Sequence, residues 1–218
     1  MAFTLINAGP SPYGRKVAIA LLEKGLDFDV VLDTPWAAGT ITPHHSPLEQ
    51  LPILIADGET VYDSSYILEW IETRFPEPPL LPTDIDARLA ARKRQMLGER
   101  LMEVMTLLLF ELHRPEPGKD WVDRQTRKMH GGLAALDALY ADRAQADESL
   151  DLGDIAVATT LLVFEHAVRA GYSPDLPALQ WRRRFPALTA FVERVEDRPS
   201  FAQTRPQAME LDLTKTVG

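Results

Sequence analysis

Gln50-Leu51-Pro52-Ile53-Leu54-Ile55-Ala56-Asp57-Gly58-Glu59-Thr60-Val61-Tyr62-Asp63-Ser64 is the stretch whose reading decides the fold. Two apolar runs, 53–56 and 60–62, flank Asp57-Gly58, and an Asp-Gly pair accepts the left-handed backbone of a two-residue hairpin turn. A β-hairpin is therefore expected. Ser64 is a favoured helix cap, and Ile67, Leu68 and Ile71 recur at helical spacing, so a helix is expected over 64–75. Pro52 stands immediately before the first strand. Read alone, it is either a trans proline that opens a strand or a cis proline in a special turn. In the cis case the Leu51 amide and carbonyl face outward, where an extended peptide can add as a further strand.

Upstream, residues 3–7 read as a short strand. Ser11-Pro12 then supplies a cap and a first helical residue, and Val17, Ile19, Ala20, Leu21 and Leu22 form an apolar helical face ending at Gly25. Residues 28–32 read as a second strand, parallel to the first because a helix separates them. Residues 34–50, with Pro35, Gly39, Pro43 and Pro47, read as loop with at most one short helix. Downstream, four prolines in residues 76–82 mark a linker, and everything beyond reads as helical. The long apolar series from Leu89 to Leu112 breaks at 115–118, and further helices fit 121–140, 155–170 and 187–195.

The 218 residues suffice for one large domain or two small ones, and the 45% hydrophobic content is that of a globular protein. The amino terminus lacks the basic start and long apolar run of a signal peptide, and no apolar stretch is long enough to span a membrane. The expected location is cytoplasmic. There are no cysteines, so disulfides, thiolate–zinc sites and a protein-borne redox thiol are excluded. Any thiol chemistry must use a thiol carried by the ligand. Net charge is −9, and residues 1–80 carry four basic against eleven acidic side chains. Such a surface repels nucleic acid and anionic membranes.

Three junctions, two from strand to helix and one from loop to strand, carry the candidate chemistry. At Asp63-Ser64, exposed amides and a hydroxyl can seat a carboxylate while Asp63 accepts from an ammonium, a pairing that suits an amino-acid zwitterion. The alternative is a plain helix cap. At Ser11, the hydroxyl and the helix N-terminus can stabilise a bound thiolate and lower its pKa from about 8.5; the alternative is again a cap. Tyr13 is a second hydroxyl donor or an aromatic on the first turn. At Leu51-Pro52, the backbone can pair with a peptide.

Taken together, three segments resemble the cytosolic glutathione transferase family over essentially the whole chain. They are Ser11-Pro12-Tyr13-Gly14-Arg15-Lys16-Val17, Ser46-Pro47-Leu48-Glu49-Gln50-Leu51-Pro52-Ile53-Leu54 and Tyr62-Asp63-Ser64-Ser65-Tyr66-Ile67-Leu68. The serine-type branch, with plant tau-like and many bacterial members, is the most similar. Asp151-Leu152-Gly153-Asp154-Ile155-Ala156 also resembles the family's helix-capping box, with Asp where Ser or Thr is usual and Leu150 available as a hydrophobic staple.

The resemblance implies a thioredoxin-like first domain, β-α-β-α-β-β-α, over residues 1–78. A linker over 79–86 and an all-α domain over 87–218 that contributes the acceptor-substrate site would follow. It implies a detoxifying enzyme with glutathione as co-substrate, a homodimeric assembly and no metal. Ser11 would stabilise the thiolate, Leu51 would bind the cysteinyl backbone beside a cis Pro52, and Asp63 and Ser64 would hold the γ-glutamyl end. Partners would be glutathione and a small hydrophobic electrophile or peroxide, with no nucleic acid and no membrane. Two departures stand out. Ser46, Glu49 and Gln50 replace the family's frequent Asn-Pro-x-Gly-Lys, leaving Gln50, His44 or His45 to meet the glycyl carboxylate. The absent cysteine separates the chain from the omega-type branch that performs thiol transfer. A non-catalytic docking protein and a specialised isomerase or ether-cleaving enzyme are the alternatives on the same scaffold.

Outside these junctions, His113 and His130 read as structural or exposed, and Arg182-Arg183-Arg184 as a solvated face or helix-end charge. Met96, Met102, Met105 and Phe110 read as core or as lining of an acceptor cleft.

Overall fold

The computed structural model describes residues 2–143, 149–173, 176 and 179–209. The chain forms two compact units: one runs up to Arg88 and regains Pro199–Met209, and the other holds Leu89–Arg198.

The first unit contains β1 (Phe3–Asn7), α1 (Pro12–Glu23), β2 (Asp29–Leu32), β3 (Ile53–Ala56), β4 (Glu59–Tyr62) and α2 (Ser64–Arg74). The strands form one sheet in the order β2-β1-β3-β4. β1 pairs in parallel with β2 and antiparallel with β3, and β3 pairs antiparallel with β4. This is the thioredoxin-like arrangement expected from the sequence. The hairpin turns at Asp57 (φ 48°) and Gly58 (φ 90°), both left-handed as a two-residue primed turn requires. The 34–50 segment has only a 3-10 turn at Thr42–His44, because its prolines deny a longer helix its amides.

The first core lies between the sheet and α1 and α2, where Leu5, Ile6, Val17, Ile19, Leu21, Ile53, Leu54, Ile67, Leu68 and Ile71 are essentially inaccessible. The proline-rich stretch is clamped to this unit. Buried Lys24, at the end of α1, pairs with Glu72 of α2 at 2.7 Å and donates to the carbonyls of Phe75 and Pro78 at 2.7 and 2.8 Å. Glu72 in turn accepts from the amides of Leu80 and Leu81, both at 3.1 Å.

The helical region comprises α3 (Ile85–Leu112), α4 (Lys119–Ala141), α5 (Leu152–Arg169) and α6 (Pro186–Val195), followed by the short α7 (Pro199–Gln203). α3 and α5 approach closely, since a Cβ on Gly98 would lie 3.1 Å from the α5 backbone and one on Gly153 would lie 2.4 Å from the Ala91 carbonyl. The capping box at Asp151 and Asp154 is complete, and Leu150 is buried. Asp151 also pairs with Arg94, and Asp154 with Arg143 and with the Tyr140 hydroxyl at 2.8 Å. Burial and the neighbouring Asp154 push the Asp151 carboxyl up, against the pull of Arg94, while burial first and Asp154 second push the Tyr140 phenol well above its usual range. Among the described residues, no helix is long and apolar enough to cross a membrane.

Candidate functional site

Ile6, Ile53 and Tyr62 stand side by side across β1, β3 and β4, because Ile6 pairs with Ile53 and Ile53 with Tyr62. From that row β1 runs on through Asn7 toward Ser11, β3 is entered from Leu51-Pro52, and β4 leaves to Asp63-Ser64. Antiparallel pairing thus brings three segments from separate parts of the first unit to one end of one sheet.

Ser11 caps α1 from an extended backbone, φ −66° and ψ 118°, and its hydroxyl oxygen accepts from the Gly14 amide at 3.3 Å. Accepting leaves the hydroxyl proton available to a further partner. The turn before it is closed by the Ser11 amide donating to the Ala8 carbonyl at 3.0 Å. Gly14 makes room for Asn7: a Cβ there would lie 1.8 Å from Asn7 Oδ1 and would force that side chain to move. Tyr13 is half-buried, and its ring lies 5.9 Å from the Lys16 ammonium.

Lys16 was absent from the candidates. It is 2% exposed, and its ammonium donates to the Ser65 hydroxyl at 3.3 Å, which joins the first turns of α1 and α2. The available signal was a lysine three and four residues before Ile19 and Ala20, on the apolar face of its own helix.

The Leu51–Pro52 bond is cis, Pro52 is buried and Leu51 half-buried. At the third junction the cap is Asp63 and not Ser64. Asp63 takes φ 66°, and its Oδ1 accepts from the amides of Ser65 at 2.8 Å and Tyr66 at 3.1 Å. A carboxylate one residue earlier reaches both amides, whereas Ser64 already occupies the first helical position, buried at 6% exposure. A left-handed backbone at a non-glycine residue costs on the order of 1–3 kcal/mol and persists where the surroundings impose it.

Gln50, His44 and His45 lie on the loop that enters β3. Gln50 and His44 are exposed and His45 half-buried; Glu49, with φ 52°, is also exposed. The loop is ordered by Asp33, whose Oδ2 accepts from Thr40 Oγ1 at 2.7 Å, Thr42 Oγ1 at 2.6 Å and the amides of Ile41 and Thr42 at 3.2 and 3.0 Å. Burial works to raise the Asp33 carboxyl, but hydrogen bonds from Thr42, Thr40 and backbone amides outweigh it and hold it below the ordinary value.

A family model described as glutathione S-transferase, N-terminal domain, matches residues 10–74. The chain is 31% identical over 207 residues to an uncharacterized GST-like protein, YibF, of Escherichia coli K12, covering 93% of this chain and 98% of that one. The chain belongs to the glutathione S-transferase family. A glutathione S-transferase of Methylobacterium radiotolerans, solved in complex with glutathione sulfonate, superposes with a TM-score of 0.87 at 42% identity over 97% of this chain and 98% of that one. One of Methylobacillus flagellatus, solved with GSH bound, gives 0.83 at 30% identity over 94% and 100%.

Other features of this family member lie apart from the junction residues. No group of three or more His, Asp or Glu among the described residues is arranged to hold a metal ion. A cleft of about 80 Å³ in the second unit is lined by Tyr140, Arg143, Phe191 and Arg194 among others, and contains none of the junction residues. Met102 and Met105 are core residues, whereas Met96 is 46% exposed. Arg182 does not stand on a solvated face: its guanidinium lies 4.7 Å from the Trp181 ring and pairs with Glu165 at 2.6 Å and Glu196 at 2.9 Å. His113 Nδ1 lies 2.8 Å from the Leu109 carbonyl of its own helix, and His130 lies beside Arg184.

Proposed function

We propose that this protein is a serine-type glutathione transferase that raises the thiolate fraction of bound glutathione and directs the sulfur at a small hydrophobic electrophile or a peroxide. The observation that carries this reading is the Ile6–Ile53–Tyr62 row, which gathers Ser11, Leu51-Pro52 and Asp63-Ser64 at one end of the sheet. Leu51 would pair with the cysteinyl backbone. Asp63, which already accepts from the Ser65 and Tyr66 amides, would accept from the γ-glutamyl ammonium while the Ser64 hydroxyl and its own amide take the carboxylate. Lys16, behind Ser65, would supply positive potential in an otherwise acidic unit.

Ser11 would donate its hydroxyl proton to the sulfur, and the N-terminus of α1 would add favourable potential for the anion. In a substitution the sulfur–carbon bond forms as the leaving group departs with its electron pair, and the thiol proton passes to solvent. Gln50 is the first choice for the glycyl carboxylate, with His44 and His45 behind it. The protein would act in the cytoplasm as a homodimer, and exposed Leu48, Tyr62 and Tyr66 give the first unit apolar surface for a second copy.

The decisive test is calorimetric titration with glutathione followed by turnover of an activated aryl halide. Saturable binding is expected, and Ser11→Ala should lower turnover by about 100-fold while leaving affinity nearly unchanged. No binding at millimolar glutathione would replace this reading with that of a docking protein on the same scaffold.

A further inference from the structure

After α6 the chain returns, over Pro199–Met209, to the unit that contains Ser11. α7 packs on α1, with Phe201 fully buried. Arg15, itself 6% exposed, donates through Nη2 to the Phe201 carbonyl at 3.1 Å and through Nε to Thr204 Oγ1 at 3.5 Å, with its guanidinium 5.7 Å from the Phe201 ring. The Ser200 hydroxyl donates to the Glu23 carboxylate at the other end of α1. Beyond α7 the chain continues to Gln207, whose amide donates to the Gly9 carbonyl at 3.2 Å.

Gly9 lies inside the turn from Ala8 to Ser11. Its φ is outside the left-handed region, so glycine is not needed there for conformation. Space gives the reason: a Cβ on Gly9 would lie 3.2 Å from the Gln207 carbonyl oxygen and 3.5 Å from its Cβ. The segment is seated so closely on the loop that an added methyl would require the Gln207 backbone to give by a few tenths of an ångström.

We propose that residues 204–207 form a strap that positions Ser11, with the Gln207 amide as the positioning group and α7 as its anchor. This rests on the reading of Ser11 as the thiolate donor. A hydroxyl that stabilises an anion acts only within hydrogen-bond reach and along the right direction, and a misplacement of about 1 Å costs roughly 100-fold in rate. The loop between β1 and α1 is held at Ala8 by the Ser11 amide and at Gly9 by the strap. Releasing the second hold lets the Ser11 hydroxyl wander while leaving the Leu51 and Asp63 junctions intact.

The test compares Gly9→Ala, which crowds the strap, and Gln207→Pro, which removes the donating N–H, with Gln207→Ala, which keeps it. Turnover of an activated aryl halide, glutathione affinity by calorimetry, the pKa of the bound thiol by ultraviolet absorbance, and amide exchange at residues 8–14 are measured on the full chain. Gly9→Ala and Gln207→Pro are expected to lower kcat by about tenfold or more, raise the bound-thiol pKa and speed exchange at 8–14. Glutathione affinity should stay within about threefold, and Gln207→Ala should match the parent. Folded variants with unchanged kcat and thiol pKa would overturn the proposal, even if their melting temperature fell, because a merely structural strap does only that. If the parent binds no glutathione, the functional reading fails separately, and unchanged exchange at 8–14 in both variants then overturns the strap itself.

Discussion

The ammonium of Lys16 on α1 donates to the hydroxyl of Ser65 on the first turn of α2 at 3.3 Å. One buried cation thus stands between two helix N-termini that both favour an anion. Replacement of Lys16 by Met keeps the length and apolar stem of the side chain and removes the charge. The expected result is a KM for glutathione raised by about tenfold with a much smaller change in kcat, partly restored by Lys16→Arg. An unchanged KM would show that Asp63 and Ser64 hold the γ-glutamyl end without it.

Asp33 governs how the loop behind Gln50 responds to acid. Its folded pKa is below that of the unfolded chain, so its contribution to stability is fully present above the unfolded value of about 3.9 and is lost as pH falls through the folded value. Asp33→Asn removes that titration and cannot accept as many hydrogen bonds. Melting temperature plotted against pH should therefore be lower near neutrality for the variant and less steep below about pH 4. Parallel curves would exclude Asp33 as the source.

The Lys24–Glu72 pair should show strong coupling. Lys24→Met leaves a buried carboxylate and two carbonyls without their cation, and removing one member of such a pair costs about 3–5 kcal/mol. Glu72→Gln in the same chain should recover part of that loss, since the amide oxygen still accepts from Leu80 and Leu81 without leaving a charge. Denaturant unfolding of the two single variants and the double variant checks this. Additive losses would mean that the two groups act independently.

Glycines 131 and 153 should respond in opposite directions to alanine. A Cβ at Gly153 would lie 2.4 Å from the Ala91 carbonyl, so Gly153→Ala is expected to cost at least about 2 kcal/mol through overpacking. Gly131 is exposed in α4 with nothing within 4 Å of an added Cβ, so Gly131→Ala should stabilise by about 0.5–1 kcal/mol. Thermal melts of the two variants decide it.

Local signals carried the first unit. Asp57-Gly58 announced the hairpin, Ser11-Pro12 the start of α1 and Gly25 its end, because each is a conformational preference of the residues themselves. The capping box at Asp151 was legible for the same reason. At Asp63-Ser64 two adjacent residues could both cap, and the choice fell to whichever oxygen reached two amides at once. What stayed hidden depends on distant partners. Arg182 read as a solvated charge because Glu165 and Glu196 lie 17 and 14 residues away, and Lys16 read as part of a helix opening because Ser65 lies 49 residues on. The return of Phe201 to Arg15 spans 186 residues, and no pattern of apolar spacing encodes a contact between a guanidinium and a backbone carbonyl.

That return has a consequence for synthesis. A chain grows from its amino end, so the sheet, α1 and α2 all emerge long before the residues that finish their unit. Until Phe201 arrives, its place against α1 stands open, and the Arg15 guanidinium lacks a carbonyl that it meets in the completed unit. A chain interrupted within the helical region would lack the residue that covers this part of α1. Such a gap is the kind of defect that chaperones and proteases recognise. The last turn of helix thus completes the first unit, and the Ser11 loop acquires its contact with Gln207 only after the helical region has been made.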